Sequence, residues 1–155
     1  MLNENHIYFT KKKRVLFICT HNSSRSQMAE GLLKAMFGDL LDVSSAGTNP
    51  TKINPYAVLV LKEIGIDISG QQSKNLNEFR DKKIDIVVTV CDSVRDSCPF
   101  FPGGRIIHRG FQDPSVVGGT EEEELAAFRK SRDEIGDWIK EYFTLQWGKL
   151  QGSLD

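Results

Sequence analysis

Val15-Leu16-Phe17-Ile18-Cys19-Thr20-His21-Asn22-Ser23-Ser24-Arg25-Ser26 is the stretch on which the reading of this chain turns. Its first four residues are apolar without alternation, the pattern of a strand buried on both faces. Cys19 ends that run, a polar loop follows from Thr20 to Ser24, and Arg25-Ser26 opens a helical pattern. A loop placed between a strand and a helix start is an anion trap. Its backbone N–H groups converge, the helix N-terminus adds partial positive charge, and a guanidinium forks onto two oxygens. The same field favours thiolate over thiol. Cys19 is therefore the candidate nucleophile, and Thr20, His21, Asn22, Ser23, Ser24, Arg25 and Ser26 are the candidate cradle for a tetrahedral oxyanion. Cys-x5-Arg is weak by itself; the strand before it and the helix after it make it specific.

Working outward, Met28, Ala29, Leu32, Leu33, Met36 and Phe37 recur at helical spacing, with Gly38 as a stop. Residues 41–46 read as a second strand, and Asn54-Pro55 opens a second helix that runs to Gly65. A short helix is expected over 76–80. Residues 85–90, almost wholly β-branched, form the clearest strand and deliver Cys91; residues 105–108 make a fourth. Thr120 and Glu123 form a capping box for a last helix carrying Leu125, Phe128, Ile135, Trp138, Ile139 and Tyr142 to about Phe143. Strands alternating with helices predict an α/β fold, a three-layer sandwich with a central four-stranded parallel sheet flanked by helices. Residues 1–13 are expected to be a flexible lead, 14–143 a single catalytic domain, and 144–155 a frayed tail. In such sheets the site lies at the carboxyl ends of the strands, where Cys19, Cys91 and the loop bearing Asp113 all fall.

Composition narrows the function classes. The chain has 155 residues, 39% of them apolar and 26% charged, as in an ordinary globular domain. A net charge of −1 makes no case for nucleic acid or a membrane surface, and Lys11-Lys12-Lys13-Arg14 reads as a solvated lead into the first strand. There is no secretory h-region or long apolar span, and the cysteine count of 3 is odd. Thiols that do chemistry in the cytoplasm are the expectation.

The residues 15–30, from Val15 to Glu30, resemble the phosphate loop of the low-molecular-weight protein tyrosine phosphatase superfamily, whose fold is flavodoxin-like. More narrowly, the chain is similar to the thioredoxin-coupled arsenate reductases. The resemblance extends through Ser44-Ser45-Ala46-Gly47-Thr48, Asp67-Ile68-Ser69, Val88-Thr89-Val90-Cys91, Cys98-Pro99, Gly110-Phe111-Gln112-Asp113-Pro114 and Arg132-Asp133-Glu134-Ile135. It implies that Arg25 and the loop hold arsenate, with phosphate or sulfate as analogues, while Cys19 attacks arsenic. Asp113 would act as general acid and Ser26 would steady the thiolate. Cys91 would then attack Cys19, releasing arsenite, and Cys98 would attack Cys91, leaving a disulfide for thioredoxin. Seven residues of helix rise about 10.5 Å, whereas bridged Cα atoms lie roughly 4.4–6.8 Å apart, so the segment from Cys91 to Cys98 must unwind or loop to close that bond.

The resemblance also sets alternatives. A tyrosine phosphatase would use the same loop and Asp113 but would need neither Cys91 nor Cys98. It would usually carry aromatic residues after the Asp-Pro step, where this chain has Ser115-Val116-Val117. Side phosphatase activity is expected, because the loop distinguishes phosphate from arsenate poorly. Asp-Pro is in addition a common turn opener. Glutathione and glutaredoxin could replace thioredoxin as donor. A thiol redox sensor or zinc module fits poorly, since Cys91-x6-Cys98 with His21 and His108 lacks zinc spacing. No cofactor is required. Some relatives bind potassium beside the loop; the matching residues are Asn22, Glu30 and Ser45. The fourth, Gln72, is a longer amide where a smaller hydroxyl or carboxylate belongs. A monomer is expected.

Overall fold

A computed structural model describes residues 12–92 and 101–152, with side chains as far as 146. Four strands, β1 (Lys13–Cys19), β2 (Leu41–Gly47), β3 (Ile86–Thr89) and β4 (Arg105–His108), form one parallel sheet in the order β2-β1-β3-β4. Three α-helices, α1 (Arg25–Phe37), α2 (Pro55–Lys62) and α3 (Glu121–Gly152), and two 3-10 turns, Leu76–Phe79 and Pro114–Val116, complete the described chain. The α/β architecture expected from the strand–helix alternation is the one observed.

β1 and its neighbour β3 are the two central strands, and each is apolar on both faces. Val15 and Phe17 point into a core built with α1, α2 and α3 residues such as Met28, Leu33, Val60, Ile135 and Ile139. Leu16 and Ile18 point the opposite way, onto Ala46, Leu76, Phe79, Ile84, Val87 and Phe101. The period of two thus divides one apolar run between two layers. β1 pairs along its whole length with β2, from Lys13↔Leu41 to Cys19↔Gly47, and with β3 from Val15↔Ile86 to Ile18↔Thr89. All carboxyl ends therefore lie on one edge of the sheet.

Local chemistry sets the helix ends. Asn54 accepts from the Tyr56 N–H at 2.8 Å and Pro55 occupies the first turn of α2. That helix closes at Gly65, whose φ is 83°, as the N–H groups of Ile66 and Gly65 reach back to Leu61 and Lys62. This is a Schellman arrangement, which glycine adopts without a Cβ penalty. The capping box of α3 is present, with the Glu123 N–H donating to Thr120 Oγ1 and Thr120 N–H to Glu123 Oε1, both at 3.2 Å.

Two expectations shift. Lys13 belongs to β1 rather than to a lead, and residues 1–11 lie outside the described part. α3 continues past Phe143 to Gly152, so residues 144–152 are helix and not tail. No proline interrupts that stretch, and Arg105 on β4 donates to Tyr142 and Gln146, tying the end of the helix to the sheet. The expected redox segment from Cys91 to Cys98 falls largely outside the described residues, since 93–100, Cys98 included, are not among them. Among the described residues no helix is long and apolar enough to cross a membrane.

α2 and α3 are joined by Glu63, which accepts from Arg129 at 2.8 Å and from Arg132 at 2.9 Å. The Arg129 hydrogen bond, helped by Arg132, lowers the Glu63 carboxyl below its ordinary value of 4.5. A carboxylate lowered by folding stabilises above its unfolded value and loses that contribution as pH falls through the folded one. Glu63→Gln is therefore expected to lower Tm modestly at neutral pH and to leave Tm unchanged in acid well below pH 4.5. Thermal unfolding of both proteins across that range checks it.

Candidate active site

Cys19 closes β1 at the carboxyl edge with 2% of its surface exposed. Its Sγ lies 2.8 Å from Ser26 Oγ in the first turn of α1. Ser26 Oγ also accepts from Asn22 Nδ2 at 2.8 Å, which leaves its hydroxyl hydrogen available to the sulfur. That geometry suits a thiolate acceptor. α1 begins without a side-chain cap on Ser24 and without an acidic residue in its first turn. α2 and α3, by contrast, are capped by Asn54 and Thr120. The first N–H groups of α1 are thus left for an incoming anion.

The loop keeps its shape through Asn22, whose φ of 49° lies in the left-handed region. A non-glycine residue there costs about 1–3 kcal/mol unless its surroundings compensate. The fully buried side chain of Asn22 is saturated. Nδ2 donates to Ser26 and to Ser45, the latter at 2.9 Å, while Oδ1 accepts from Gln27 Nε2 at 2.9 Å and from the Lys74 N–H at 2.8 Å. Gln27, itself fully buried, is held in turn by Gln71, whose Nε2 donates to Gln27 Oε1 at 2.8 Å. Gly47 lets β2 run against the loop: a Cβ there would stand 2.5 Å from Thr20 O and 2.9 Å from Asn22 N.

Arg25 is 5% exposed. Its Nη1 donates to the Phe111 carbonyl at 3.1 Å, and Nη2 lies 3.6 Å from Asp113 Oδ2. Phe111 is wedged between the Arg109 guanidinium, 4.3 Å above its ring, and the edge of Trp138. Asp113 serves two purposes. Its Oδ1 accepts from Ser115 N–H at 2.9 Å and Ser115 Oγ at 2.7 Å, opening the 3-10 turn, and its Oδ2 faces Arg25 over the cleft. Asp113 thus opens the turn through one oxygen and faces Arg25 through the other.

The resulting cleft, about 160 Å³, is lined by Cys19, His21, Ser23, Ser24, Arg25, Thr51, Asp113 and Ser115. Thr20, Asn22 and Ser26 stand behind this lining: the Thr20 carbonyl accepts from Asn49 N–H, and the Asn22 and Ser26 side chains bind within the protein. Cys91 follows β3 and is fully buried, with its Sγ donating at 3.8 Å to the carbonyl of Ile18, the residue before Cys19. Cys19 and Cys91 are both buried, on neighbouring strand ends. Thr51 and Ser115, together with the bracing Gln27, Gln71 and Lys74, are absent from the sequence-based set. Only Ser115 carried a local signal, as the residue two after an Asp.

Asn22, Glu30 and Ser45 do come together, with Ser45 Oγ donating to Glu30 Oε1 at 2.6 Å. Glu30 is 3% exposed, and both of its oxygens already face ammonium groups. Lys34 Nζ is 2.6 Å from Oε2, and Lys74 Nζ is 3.6 Å from Oε1. Gln72 contributes its backbone carbonyl, which accepts from Lys74 Nζ at 2.8 Å. These residues do not fit a potassium ion. Among the described residues no group of three or more His, Cys, Asp or Glu could hold a metal.

Residues 14–149 match the low molecular weight phosphotyrosine protein phosphatase family, and the chain belongs to it. Within that family its similarities run to arsenate reductases. The arsenate reductase of Halalkalibacterium halodurans is 49% identical over 132 residues, covering 84% of this chain and 95% of that protein. A solved arsenate reductase in its phosphate-binding state superposes with a TM-score of 0.72 at 28% identity, over 85% of this chain and 97% of that one. A thioredoxin-dependent arsenate reductase of Corynebacterium glutamicum gives 0.66 at 29% identity, over 96% of this chain and 67% of that one.

Gly47→Ala tests the loop's dependence on close backbone approach. Overpacking of this kind costs about 1–3 kcal/mol. The variant is expected to unfold at lower temperature and to lose most of the thermal protection that inorganic phosphate gives the wild type.

Proposed function

We propose that this chain is an arsenate reductase working through Cys19, Cys91 and Cys98 and re-reduced by thioredoxin. The observation that carries the reading is the placement of two buried cysteines on adjacent strand ends, one at the base of an oxyanion-sized cleft. Arg25 and the first N–H groups of α1 would hold arsenate. Cys19 would attack arsenic as thiolate, and Asp113, through Oδ2, would protonate the departing oxygen so that it leaves as water. Cys91 would next attack the Cys19 sulfur. The sulfur–arsenic bond breaks, its electron pair stays on arsenic, and arsenic(V) departs as arsenite. The two thiols are oxidised to a disulfide in the same step. Cys98 would displace Cys19 from Cys91, and a thioredoxin dithiol would reduce the Cys91–Cys98 bond.

Phosphate-ester hydrolysis with the same loop and Asp113 is the second reading, favoured by the family to which the chain belongs. The cleft lining argues for a small inorganic anion, because among the described residues it holds no aromatic wall for a phenolic ring. Val116 and Val117, on the rim after Asp113, are 66% and 49% exposed and do not supply one.

Arsenate-dependent NADPH oxidation with thioredoxin and thioredoxin reductase separates the readings. Wild type is expected to turn over, and Cys19→Ser, Cys91→Ser and Cys98→Ser to be inactive, while Cys91→Ser still hydrolyses a small aryl phosphate. Sustained arsenate turnover by Cys91→Ser would overturn the relay. Replacing thioredoxin with glutathione and glutaredoxin in the same assay tests the donor. Asp113→Asn keeps the acceptor for Ser115 but has no proton to give. Its reductase rate is expected to fall about 10²–10⁴-fold, the usual weight of general acid catalysis, with little change in Tm.

A further inference from the structure

We infer that Lys74 is a built-in substitute for a monovalent cation, holding the anion loop in its working shape without any bound metal ion. A carboxylate as buried as Glu30 needs compensating charge. Lys34 offers some, but it is 47% exposed and lies on the same helix. Lys74 is 22% exposed and reaches Glu30 from a different segment. Its ammonium bridges Glu30 Oε1, at 3.6 Å, and the Gln72 carbonyl, at 2.8 Å. These two oxygens, with Ser45 Oγ beside them, form an oxygen set suited to a hard cation. An ammonium already stands among them.

The consequence reaches Cys19 through hydrogen-bond direction. The charged Glu30 can only accept, so Ser45 Oγ donates to it and accepts from Asn22 Nδ2. That fixes the orientation of the Asn22 amide, whose Nδ2 then also meets Ser26, leaving the Ser26 hydrogen for the Cys19 sulfur. Lys74 secures the same amide from its other side, its backbone N–H donating to Asn22 Oδ1 at 2.8 Å. Lys74 is therefore a positioning residue. It touches neither the cleft nor the reacting atoms.

The inference rests on the Cys19 loop being the anion site, and inorganic phosphate as probe keeps it separate from the identity of the reaction. Thermal unfolding and phosphate titration are compared for wild type, Lys74→Ala and Lys74→Met, in potassium chloride and in choline chloride at matched ionic strength. Wild type is expected to give the same Tm and the same phosphate affinity in both salts. Lys74→Ala opens the oxygen set: in choline its Tm falls and phosphate binds about tenfold more weakly, as for loss of one hydrogen bond to a charged group, and potassium restores both. Lys74→Met keeps the space filled and is expected to be impaired in both salts alike. A wild type that responds to potassium, or an alanine variant that potassium does not rescue, would overturn the inference. The phosphatase or reductase assay plays no part in that outcome.

Discussion

A single asparagine held in the left-handed region is the constraint on which the anion loop depends. The backbone at Asn22 is unfavourable for any residue with a Cβ, and left alone it would relax to a conformation that scatters the loop's N–H groups. Four side-chain hydrogen bonds oppose that, each worth about 0.5–1.5 kcal/mol net, three of them buried and the fourth part-buried. Together they are of the size needed to offset the backbone cost. The loop is thus pre-formed, and the binding of an anion need not supply the energy of ordering it.

The same network explains why a polar interior is tolerated behind the site. Gln27, Ser26, Ser45, Asn22 and Glu30 are all buried, and no side-chain nitrogen or oxygen buried among the described residues lacks a partner. A partly satisfied set of this kind would weaken the fold more than an apolar core would, whereas a complete one selects a single arrangement. Hydrogen-bond direction then passes from a fixed charge to a sulfur across three side chains.

Much of this arrangement could be read before any coordinates. β1 announced itself as an unbroken apolar run, α2 by Asn54-Pro55, and α3 by Thr120 and Glu123, because each signal is local to the element it specifies. Cys19 and Arg25 were legible for the same reason, lying on either side of one loop. What could not be read comes from distant pairs. Lys74 meets Asn22 across 52 residues and Gln71 meets Gln27 across 44, distances over which spacing carries no information. The length of α3 was underestimated because its apolar stripe fades after Phe143, although Arg105 of β4 secures the helix beyond that point.

Cys91 is completely enclosed at the end of β3, its sulfur turned towards a carbonyl of the central strand. Peroxide and other small oxidants attack accessible thiolates first, and a covered thiol climbs the ladder to sulfinic and sulfonic acids slowly. Enclosure therefore spares this sulfur from ambient damage while leaving it within the neighbourhood of Cys19.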